Sequence, residues 1–397
     1  MSRGILQERL RQSLEASKRA HTHKLLRYID SPMGPVARID GLGEVVVLCS
    51  NNYLGLADHP KVVEAAQQGL RRYGAGTASV RFICGTLTCH RELEERLAAF
   101  FGAPAALTYT SCWNANEGLL PALAGEGDAI ISDETNHASI IDATRLSRAH
   151  RRVYAHASIP ALLERLGEVE DAPLKVVVSD GVFSMEGDIA PLPELARVCR
   201  EADAVLVIDD SHGTGVLGAS GRGVHEHFQL SCGADGDVQI ITSTLGKALG
   251  GGNGGFVLGS AELVDHLIQS SRPHLFSNAL APSTACAAIG AIEVLDAEPE
   301  RIAHLRRNVA RMREGLMALG YDVVDSPSAI IPIIVGDTAR ALRLSQLLLE
   351  RGIFVVGFGH PVVPEGRARL RVQMSAAHED THIDRALDAF DALRALD

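Results

Sequence analysis

The sequence predicts an α/β fold with a mostly parallel central sheet and a smaller α+β domain at the C-terminus. First, 397 residues exceed what one minimal core needs, which indicates two domains. Second, short β-branched runs alternate with longer amphipathic segments along the middle of the chain, an order typical of β–α units. Third, apolar runs such as Val205–Ile208 lack polar alternation, which is typical of strands buried on both faces of a sheet.

The central part of the chain supplies the predicted sheet and its covering helices. The predicted strands are Ala105–Tyr109, Ala129–Ser132, Lys175–Asp180, Ala204–Asp209, Val238–Thr242 and Gly255–Gly259. The predicted helices between them are His90–Phe101, Trp113–Leu123, Ala138–Ser147, Ile159–Leu166 and Leu192–Glu201. In such a sheet, ligands gather at the carboxyl ends of the strands.

The pattern of the sequence changes near Pro282. A segment of small residues there leads into an arginine-rich helix predicted at Ile302–Leu319. Beyond it the sequence predicts three strands and two further helices: Ala329–Val335, Ile353–Val356, Ala368–Met374, 338–351 and 380–394. We therefore expect three parts, an N-terminal arm at 1–55, a large domain at 56–289 and a C-terminal domain at 290–397.

Composition excludes several classes of protein. The net charge of −11 disfavours broad nucleic-acid binding, which relies on a basic face. Every 18-residue stretch contains polar residues, so we expect no membrane span. Seven cysteines without a Cys-x-x-Cys pair argue against a metal site and favour a reducing cytoplasm. Glu8 and Glu15 interrupt the basic N-terminus, which favours an amphipathic helix over a mitochondrial presequence.

Lys247 is the first candidate catalytic residue. It follows a predicted buried strand and precedes a glycine-rich segment that continues to Gly255. Burial lowers the pKa of a lysine, and the neutral amine can form a Schiff base. A lysine in a solvated surface loop is the alternative for this fragment taken alone.

Three further polar segments follow predicted strands. Asp209 and His212 come after an apolar strand, where an acid can hold a protonated ring nitrogen and a histidine can bond a phenolate oxygen. His137 follows the predicted strand Ala129–Ser132, and its flat ring could stack on a planar cofactor. Ser111–Trp113 begins a predicted helix, whose free amides suit a phosphate. Ordinary turn and helix-capping roles remain the alternatives for each segment.

Taken together, these segments match the needs of one cofactor, pyridoxal phosphate. That cofactor requires a Schiff-base lysine, an acid at its pyridine nitrogen, a stacking ring and a phosphate-binding turn. The chain offers them in the order turn, ring, acid and lysine, at residues 111, 137, 209 and 247. The combination is far more specific than any single segment.

The sequence resembles the α-oxoamine synthases, fold-type I pyridoxal-phosphate enzymes that condense an amino acid with an acyl-CoA thioester. The resemblance runs from the segment Cys49–Leu56 to the segment Gln373–His378. Two further blocks, Ala78–Thr86 and Ser271–Asn278, are similar to the branch that joins glycine and acetyl-CoA. The resemblance implies the fold-type I architecture, with the smaller C-terminal domain beside the sheet.

The resemblance also implies roles for individual residues around the cofactor ring. Lys247 would carry the cofactor as a Schiff base, and Asp209 would pair with the pyridinium nitrogen. His137 would stack on the ring. His212 and Ser184 would contact the phenolic oxygen.

For the phosphate, the resemblance implies the turn at Ser111, the amides of Cys112 and Trp113, and the Thr244 hydroxyl. Ser277 would reach the phosphate of the neighbouring subunit, which implies a homodimer with shared sites.

Asn51 and Arg371 would hold the substrate carboxylate, a task that suits the two-pronged guanidinium group. The implied reaction is a Claisen condensation of glycine with acetyl-CoA, or its reversal. Trp113, Glu117, His274 and the segment Phe358–His360 differ from the pattern expected of that branch. They leave open another amino acid, or a longer acyl-CoA with decarboxylation. An aminotransferase, or a non-catalytic binding protein of the same fold, are the more distant alternatives.

Overall fold

The computed structural model describes residues 2–20 and 22–394. Its helices are α1 (Ser2–Arg19), α2 (Pro60–Tyr73), α3 (Thr88–Phe101), α4 (Cys112–Leu123), α5 (Ala138–Leu146), α6 (Ile159–Gly167), α7 (Leu192–Glu201), α8 (Val224–His227), α9 (Ala261–Ser270), α10 (Arg272–Phe276), α11 (Pro282–Ala297), α12 (Glu300–Ala318), α13 (Thr338–Glu350) and α14 (Asp380–Arg394), with one π-helical turn at Arg81–Gly85. Its strands are β1 (Val36–Ile39), β2 (Gly43–Val47), β3 (Ala105–Tyr109), β4 (Ala129–Asp133), β5 (His150–Tyr154), β6 (Lys175–Asp180), β7 (Val205–Asp209), β8 (Ile240–Thr244), β9 (Gly255–Gly259), β10 (Ile330–Gly336), β11 (Ile353–Phe354), β12 (Val356–Phe358) and β13 (Ala368–Gln373).

A seven-stranded sheet organises the central part of the chain, in the order β3-β9-β8-β7-β6-β4-β5. Within it β4 to β8 pair in parallel, whereas β9 pairs antiparallel with both β3 and β8. The predicted α/β fold with a mostly parallel sheet is therefore confirmed, with one reversed strand that makes the sheet mixed.

Two apolar cores explain why the central strands lack polar alternation. Val207 packs into a core with side chains of α4, α5 and α9. Its neighbours Leu206 and Ile208 pack into the larger core on the other face, with side chains of α3, α6, α7 and α11. Because helices cover both faces, successive residues of one strand are all buried.

The strand β5 was not predicted, and its position explains why. It lies at the edge of the sheet and pairs only with β4. His150 and Arg151 are exposed, and of its five residues only Tyr154 is buried. An edge strand has no continuous apolar run, so the pattern that predicted its neighbours does not apply to it.

The C-terminal part contains two small sheets. The strands β10, β13 and β12 form an antiparallel sheet, while β11 joins β1 and β2 from the N-terminal arm. The arm therefore contributes strands to the C-terminal part, and the boundary predicted between residues 289 and 290 falls inside α11. The division into three parts stays a prediction, and its outer limits, residues 1 and 397, lie outside the described residues.

Neither a membrane-spanning helix nor a metal-binding cluster is found in residues 2–20 and 22–394. No helix there is long and apolar enough to cross a bilayer. No group of three or more His, Cys, Asp or Glu side chains there could hold a metal ion.

Candidate active site

A cavity of about 210 Å³ opens where the central strands end. It brings together nine of the predicted site residues: Ser111, Cys112, Trp113, His137, Ser184, Asp209, His212, Thr244 and Lys247. Four lining residues were not predicted: Ser139, Asp180, Val182 and Ser211. Segments more than 100 residues apart in sequence thus form one site, as the carboxyl ends of parallel strands require.

Asp209 is the last residue of β7, and its carboxylate is held in a fixed orientation. One carboxylate oxygen, Oδ2, accepts a hydrogen bond of 2.7 Å from the Asn116 side-chain amide. The other, Oδ1, accepts one of 3.0 Å from the Ser211 backbone amide. Thr242 in turn bonds Asn116, which fixes the amide of that residue. The carboxylate is therefore preorganised as a partner for a positively charged group.

Lys247 lies three residues beyond the end of β8, and its side chain is half-buried. Burial lowers the pKa of the Lys247 amine, and this effect outweighs the attraction of Asp209. The neutral form of a lysine is the nucleophile and the base. The lowered pKa agrees with the effect of burial expected for Lys247, and its role as the Schiff-base lysine stays a prediction.

His137 precedes α5 and caps it. Its backbone amide donates to the Asp180 carboxylate at 3.0 Å, and its ring Nδ1 lies 2.8 Å from the Ser139 hydroxyl. Desolvation at the cavity wall lowers the pKa of the ring, against attraction to Asp209. The Trp113 ring meets it edge-on, with centroids 6.0 Å apart. His137 therefore both caps α5 and forms part of the cavity wall.

His212 is buried, and its ring Nδ1 lies 2.7 Å from the hydroxyl of Tyr53. Burial holds the pKa of His212 well below its usual range, and the positive charges of Lys247 and Arg371 add to this effect. Its ring Nε2 has no hydrogen-bond partner among the described residues. A neutral imidazole with one free nitrogen therefore faces the cavity.

The start of α4 lies at the wall of the cavity. The Ser111 hydroxyl caps the helix by accepting from the Asn114 amide at 3.1 Å. Cys112 and Trp113 are the first residues of α4, so their backbone amides have no acceptor within the helix. Gly255 lies close by, since a Cβ there would stand 2.3 Å from the Cys112 nitrogen.

The Thr244 hydroxyl closes the same side of the cavity. It donates to the Gly254 carbonyl at 3.1 Å and accepts from the Gly246 amide at 3.0 Å. The backbone amides at the start of α4, with the Asp209 carboxylate and the Lys247 amine, are the kinds of group that bind a phosphorylated pyridine aldehyde. The residues present therefore fit pyridoxal phosphate.

Asn51 and Arg371 lie beside this cavity rather than in its wall. Asn51 lines a neighbouring cavity of about 380 Å³. Arg371 donates from Nη1 to the Ser184 carbonyl at 2.9 Å, and its guanidinium lies 4.9 Å from the centre of the Phe358 ring. Gln373 contacts both residues, through Arg371 Nη2 at 3.1 Å and through Asn51 Oδ1. The two predicted carboxylate ligands are thus brought together.

Ser277 is exposed and does not line the cavity of its own chain. It lies directly after α10, next to the bridge between Asn278 and Val80. Its contact with the phosphate bound by a neighbouring subunit stays a prediction.

Asp180 is the most important residue that was not predicted. It ends β6 as Asp209 ends β7, and both strands have the same sequence pattern of a β-branched apolar run followed by an acid. That repeated pattern could have revealed it. Tyr53, Asn116 and Gln373 left no such signal, because their partners are distant in sequence.

Comparisons with known proteins show which proteins this chain is similar to. The family described as aminotransferase class I and II matches residues 43–390. The 2-amino-3-ketobutyrate coenzyme A ligase of Escherichia coli K12 is 44% identical, over 98% of this chain and 97% of its own. The 8-amino-7-oxononanoate synthase of Bacillus pumilus is also 44% identical, over 95% of each chain.

Among solved structures, serine palmitoyltransferase of S. paucimobilis superposes with a TM-score of 0.91 at 31% identity. It covers 98% of this chain and 97% of its own, and that structure contains pyridoxal phosphate. The fold is therefore the fold-type I architecture of pyridoxal-phosphate enzymes, as expected. With the family match and these near-complete alignments, the chain belongs to the aminotransferase class I and II family and, within it, to the α-oxoamine synthases.

Proposed function

We propose that this protein is a pyridoxal-phosphate-dependent acyltransferase that joins glycine and acetyl-CoA to form 2-amino-3-ketobutyrate and CoA, or runs this reaction in reverse. The observation that carries the proposal is the single cavity in which Lys247, Asp209, His137 and His212 meet the free amides of α4. Support for the substrates comes from the Escherichia coli relative, whose name states the same ketoacid and coenzyme.

The cofactor supplies an electron sink, which makes the α-proton of a bound amino acid acidic. Asp209 would hold the positive charge at the ring nitrogen, because Asn116 and the Ser211 amide fix its carboxylate. Lys247 would hold the cofactor and take the α-proton, since burial lowers its pKa and so favours the neutral amine. His137 would cover one face of the ring, and His212 with Ser184 would contact the phenolic oxygen.

The phosphate would be held at the start of α4, by the turn at Ser111, the amides of Cys112 and Trp113 and the Thr244 hydroxyl. The free amides and the positive end of the helix favour a dianion there.

Arg371 and Asn51 bind the carboxylate of the amino acid. Arg371 supports this role because it has no carboxylate partner among the described residues, and its Nε is buried without a hydrogen bond. Burial lowers the pKa of the guanidinium, although it remains charged. An arginine placed in this way gains from a carboxylate ligand, which would satisfy its remaining donors.

We further infer a homodimer in which Ser277 serves the neighbouring subunit's phosphate. Phe82, Ile83 and Phe276 are 59%, 68% and 70% exposed, and the Val80–Asn278 bridge joins the two segments that carry them. Such a group of exposed apolar side chains is typical of an interface. The helix α1 supports the same inference, since none of its described residues is buried.

A cytoplasmic location is part of the proposal. It is supported by the seven cysteines, all of which are free, as is usual for proteins of a reducing compartment. Fractionation of cells that produce the full chain tests it, and enrichment in an organelle or membrane fraction would contradict it.

Release of CoA tests the proposed reaction. The holoenzyme is mixed with glycine and acetyl-CoA, and free thiol is followed with a chromogenic disulfide. The panel then crosses glycine, serine, alanine, threonine and glutamate with short and long acyl-CoAs. We expect the highest rate with glycine and acetyl-CoA. A higher rate with another pair would replace the substrates but keep the reaction class. Amino transfer to 2-oxo acids without thiol release would favour an aminotransferase and overturn the proposal.

A further inference from the structure

A continuous chain of hydrogen bonds links Arg371 to His212. Arg371 Nη2 lies 3.1 Å from the side-chain carbonyl of Gln373. The amide nitrogen of Gln373 lies 3.0 Å from the hydroxyl of Tyr53 and 2.5 Å from the carbonyl oxygen of Asn51. The Tyr53 hydroxyl lies 2.7 Å from His212 Nδ1. Gln373 and Tyr53 are fully buried, so water does not compete for these bonds.

Arg371 determines which atoms donate and which accept in this series of hydrogen bonds. A guanidinium only donates, so the Gln373 atom that faces it must be the carbonyl oxygen, Oε1. The amide group of Gln373 then faces the other way, and its two protons go to Asn51 Oδ1 and to the Tyr53 oxygen. The charged guanidinium of Arg371 thus fixes the orientation of the Gln373 side-chain amide.

Tyr53 determines which ring nitrogen of His212 carries the proton. Its oxygen already accepts from Gln373, and its single proton has two possible acceptors. These are His212 Nδ1 at 2.7 Å and Asn51 Oδ1 at 3.4 Å. The shorter contact is the better hydrogen bond, and Asn51 Oδ1 is already satisfied by Gln373. Tyr53 therefore donates to Nδ1, and a neutral His212 carries its proton on Nε2.

We propose that Gln373 is a positioning residue that sets the tautomer of His212 and the amide orientation of Asn51. Both side chains then present N–H groups: Nε2–H of His212 in the cofactor cavity and the amide of Asn51 beside it. Two N–H donors suit two anionic oxygens, the phenolic oxygen of the cofactor and the carboxylate of the substrate. The identity of those oxygens rests on the proposed function, whereas the tautomer rests on the hydrogen bonds alone.

The unperturbed holoenzyme provides the first test. Histidine labelled with ¹⁵N distinguishes the protonated ring nitrogen from the unprotonated one by its chemical shift, and loss of a signal pair in His212→Gln assigns the residue. We expect the Nε2–H tautomer for His212. The Nδ1–H tautomer, or an imidazolium at neutral pH, would overturn the proposal even if Gln373→Glu failed to fold.

The substitution Gln373→Glu provides the second test. A carboxylate still accepts from Arg371 but cannot donate, so Tyr53 turns its proton towards Glu and accepts from His212 Nδ1–H. We expect the two ¹⁵N shifts of His212 to interchange. Glycine affinity, read from the visible absorption of the bound cofactor, should fall by about 10- to 100-fold, because Asn51 loses its donor orientation.

Gln67→Glu is the matched control, because Gln67 also accepts from an arginine, Arg71 at 3.1 Å, but lies exposed on α2. It should change neither readout. Unchanged ¹⁵N shifts in a folded Gln373→Glu protein would remove the role of Gln373 while leaving the proposed function intact. Absence of CoA release from the unmodified enzyme would overturn the proposed function but not the tautomer.

Discussion

Asp180 and Asp209 end neighbouring parallel strands and face each other in register, so two carboxyl groups reach the same cavity. Their surroundings differ. Asp209 accepts hydrogen bonds from Asn116 and Ser211, which stabilise its charged form. Burial holds the pKa of Asp180 well above its usual range, and the charge of Asp209 adds to this effect. Two adjacent carboxyl groups with such different surroundings are suited to different tasks.

This difference predicts unequal effects of the same substitution at the two strand ends. Asp180→Asn removes a carboxyl whose charged form burial disfavours, and it keeps an acceptor for the His137 amide, so we expect kcat within about tenfold of the parent. Asp209→Asn removes the negative charge itself and should lower kcat by about 100-fold or more. CoA-release kinetics measure both. Equal losses in the two variants would contradict the assignment of the charge to Asp209.

Lys247→Ala should lower turnover by about 100- to 10,000-fold or more, because it removes both the attachment point and the base. The cofactor should still bind, since the phosphate site and Asp209 remain. CoA release and the visible spectrum after denaturation measure the two effects. Lys61→Ala, which changes an exposed lysine at the start of α2, is the control. Retained turnover in the Lys247 variant would refute its role.

His156 should make the stability of the protein depend on pH. Its two ring nitrogens lie 3.2 Å from Asp133 and 2.9 Å from Asp188, outside the proposed site. Hydrogen bonds to these carboxylates, first to Asp133, raise the pKa of His156 to about 10. The added stability is therefore complete below the unfolded value near 6.5 and is lost as the pH rises through about 10.

His156→Gln should accordingly cost about 3 kcal/mol of unfolding free energy at pH 6.5 and much less near pH 10. Denaturation of both proteins at the two pH values measures the difference. His150→Gln, at an exposed position of β5, is the control and should show no such dependence. A cost that stays constant with pH would indicate that only packing is lost.

Gly255→Ala should weaken cofactor binding. The new methyl group would stand 2.3 Å from the Cys112 nitrogen, so the start of α4 must move away and its free amides move with it. We expect the cofactor dissociation constant to rise about tenfold or more. Equilibrium dialysis measures it. Gly125→Ala is the control, because a methyl group there meets no atom within 4 Å. Unchanged affinity would place the phosphate elsewhere.

Shared sites predict complementation between two inactive variants. Lys247→Ala lacks the attachment point, and Ser277→Asp would repel the phosphate of the neighbouring site. A hybrid dimer of the two has one site with both residues intact, so a randomised equal mixture should recover about a quarter of the parent activity. CoA release before and after subunit exchange measures the recovery. Ser270→Asp, at the last residue of α9 and outside the cavity wall, should keep full activity by itself. No recovery from demonstrated hybrids would mean that each site belongs to one chain.

Local patterns were sufficient for the central sheet and for most of the candidate site. The strands β3, β6 and β9 begin and end as predicted, because each is an apolar run that both faces bury. The edge strand β5 escaped prediction, since its charged residues are solvated. Sequence patterns report burial, so they identify buried strands better than exposed ones.

What the sequence alone determined is the chemistry: a lysine, an acid and two histidines, each just after a predicted strand or at the start of a helix. The end of a buried strand can be recognised in the local sequence, because its apolar run stops where polar residues begin. Tertiary structure alone decided how these groups are oriented and paired. Asp180 beside Asp209 depends on strand register, and the path from Arg371 through Gln373 and Tyr53 to His212 joins residues up to 320 positions apart. Such contacts are set by packing between distant segments, which leaves no periodic mark in the sequence.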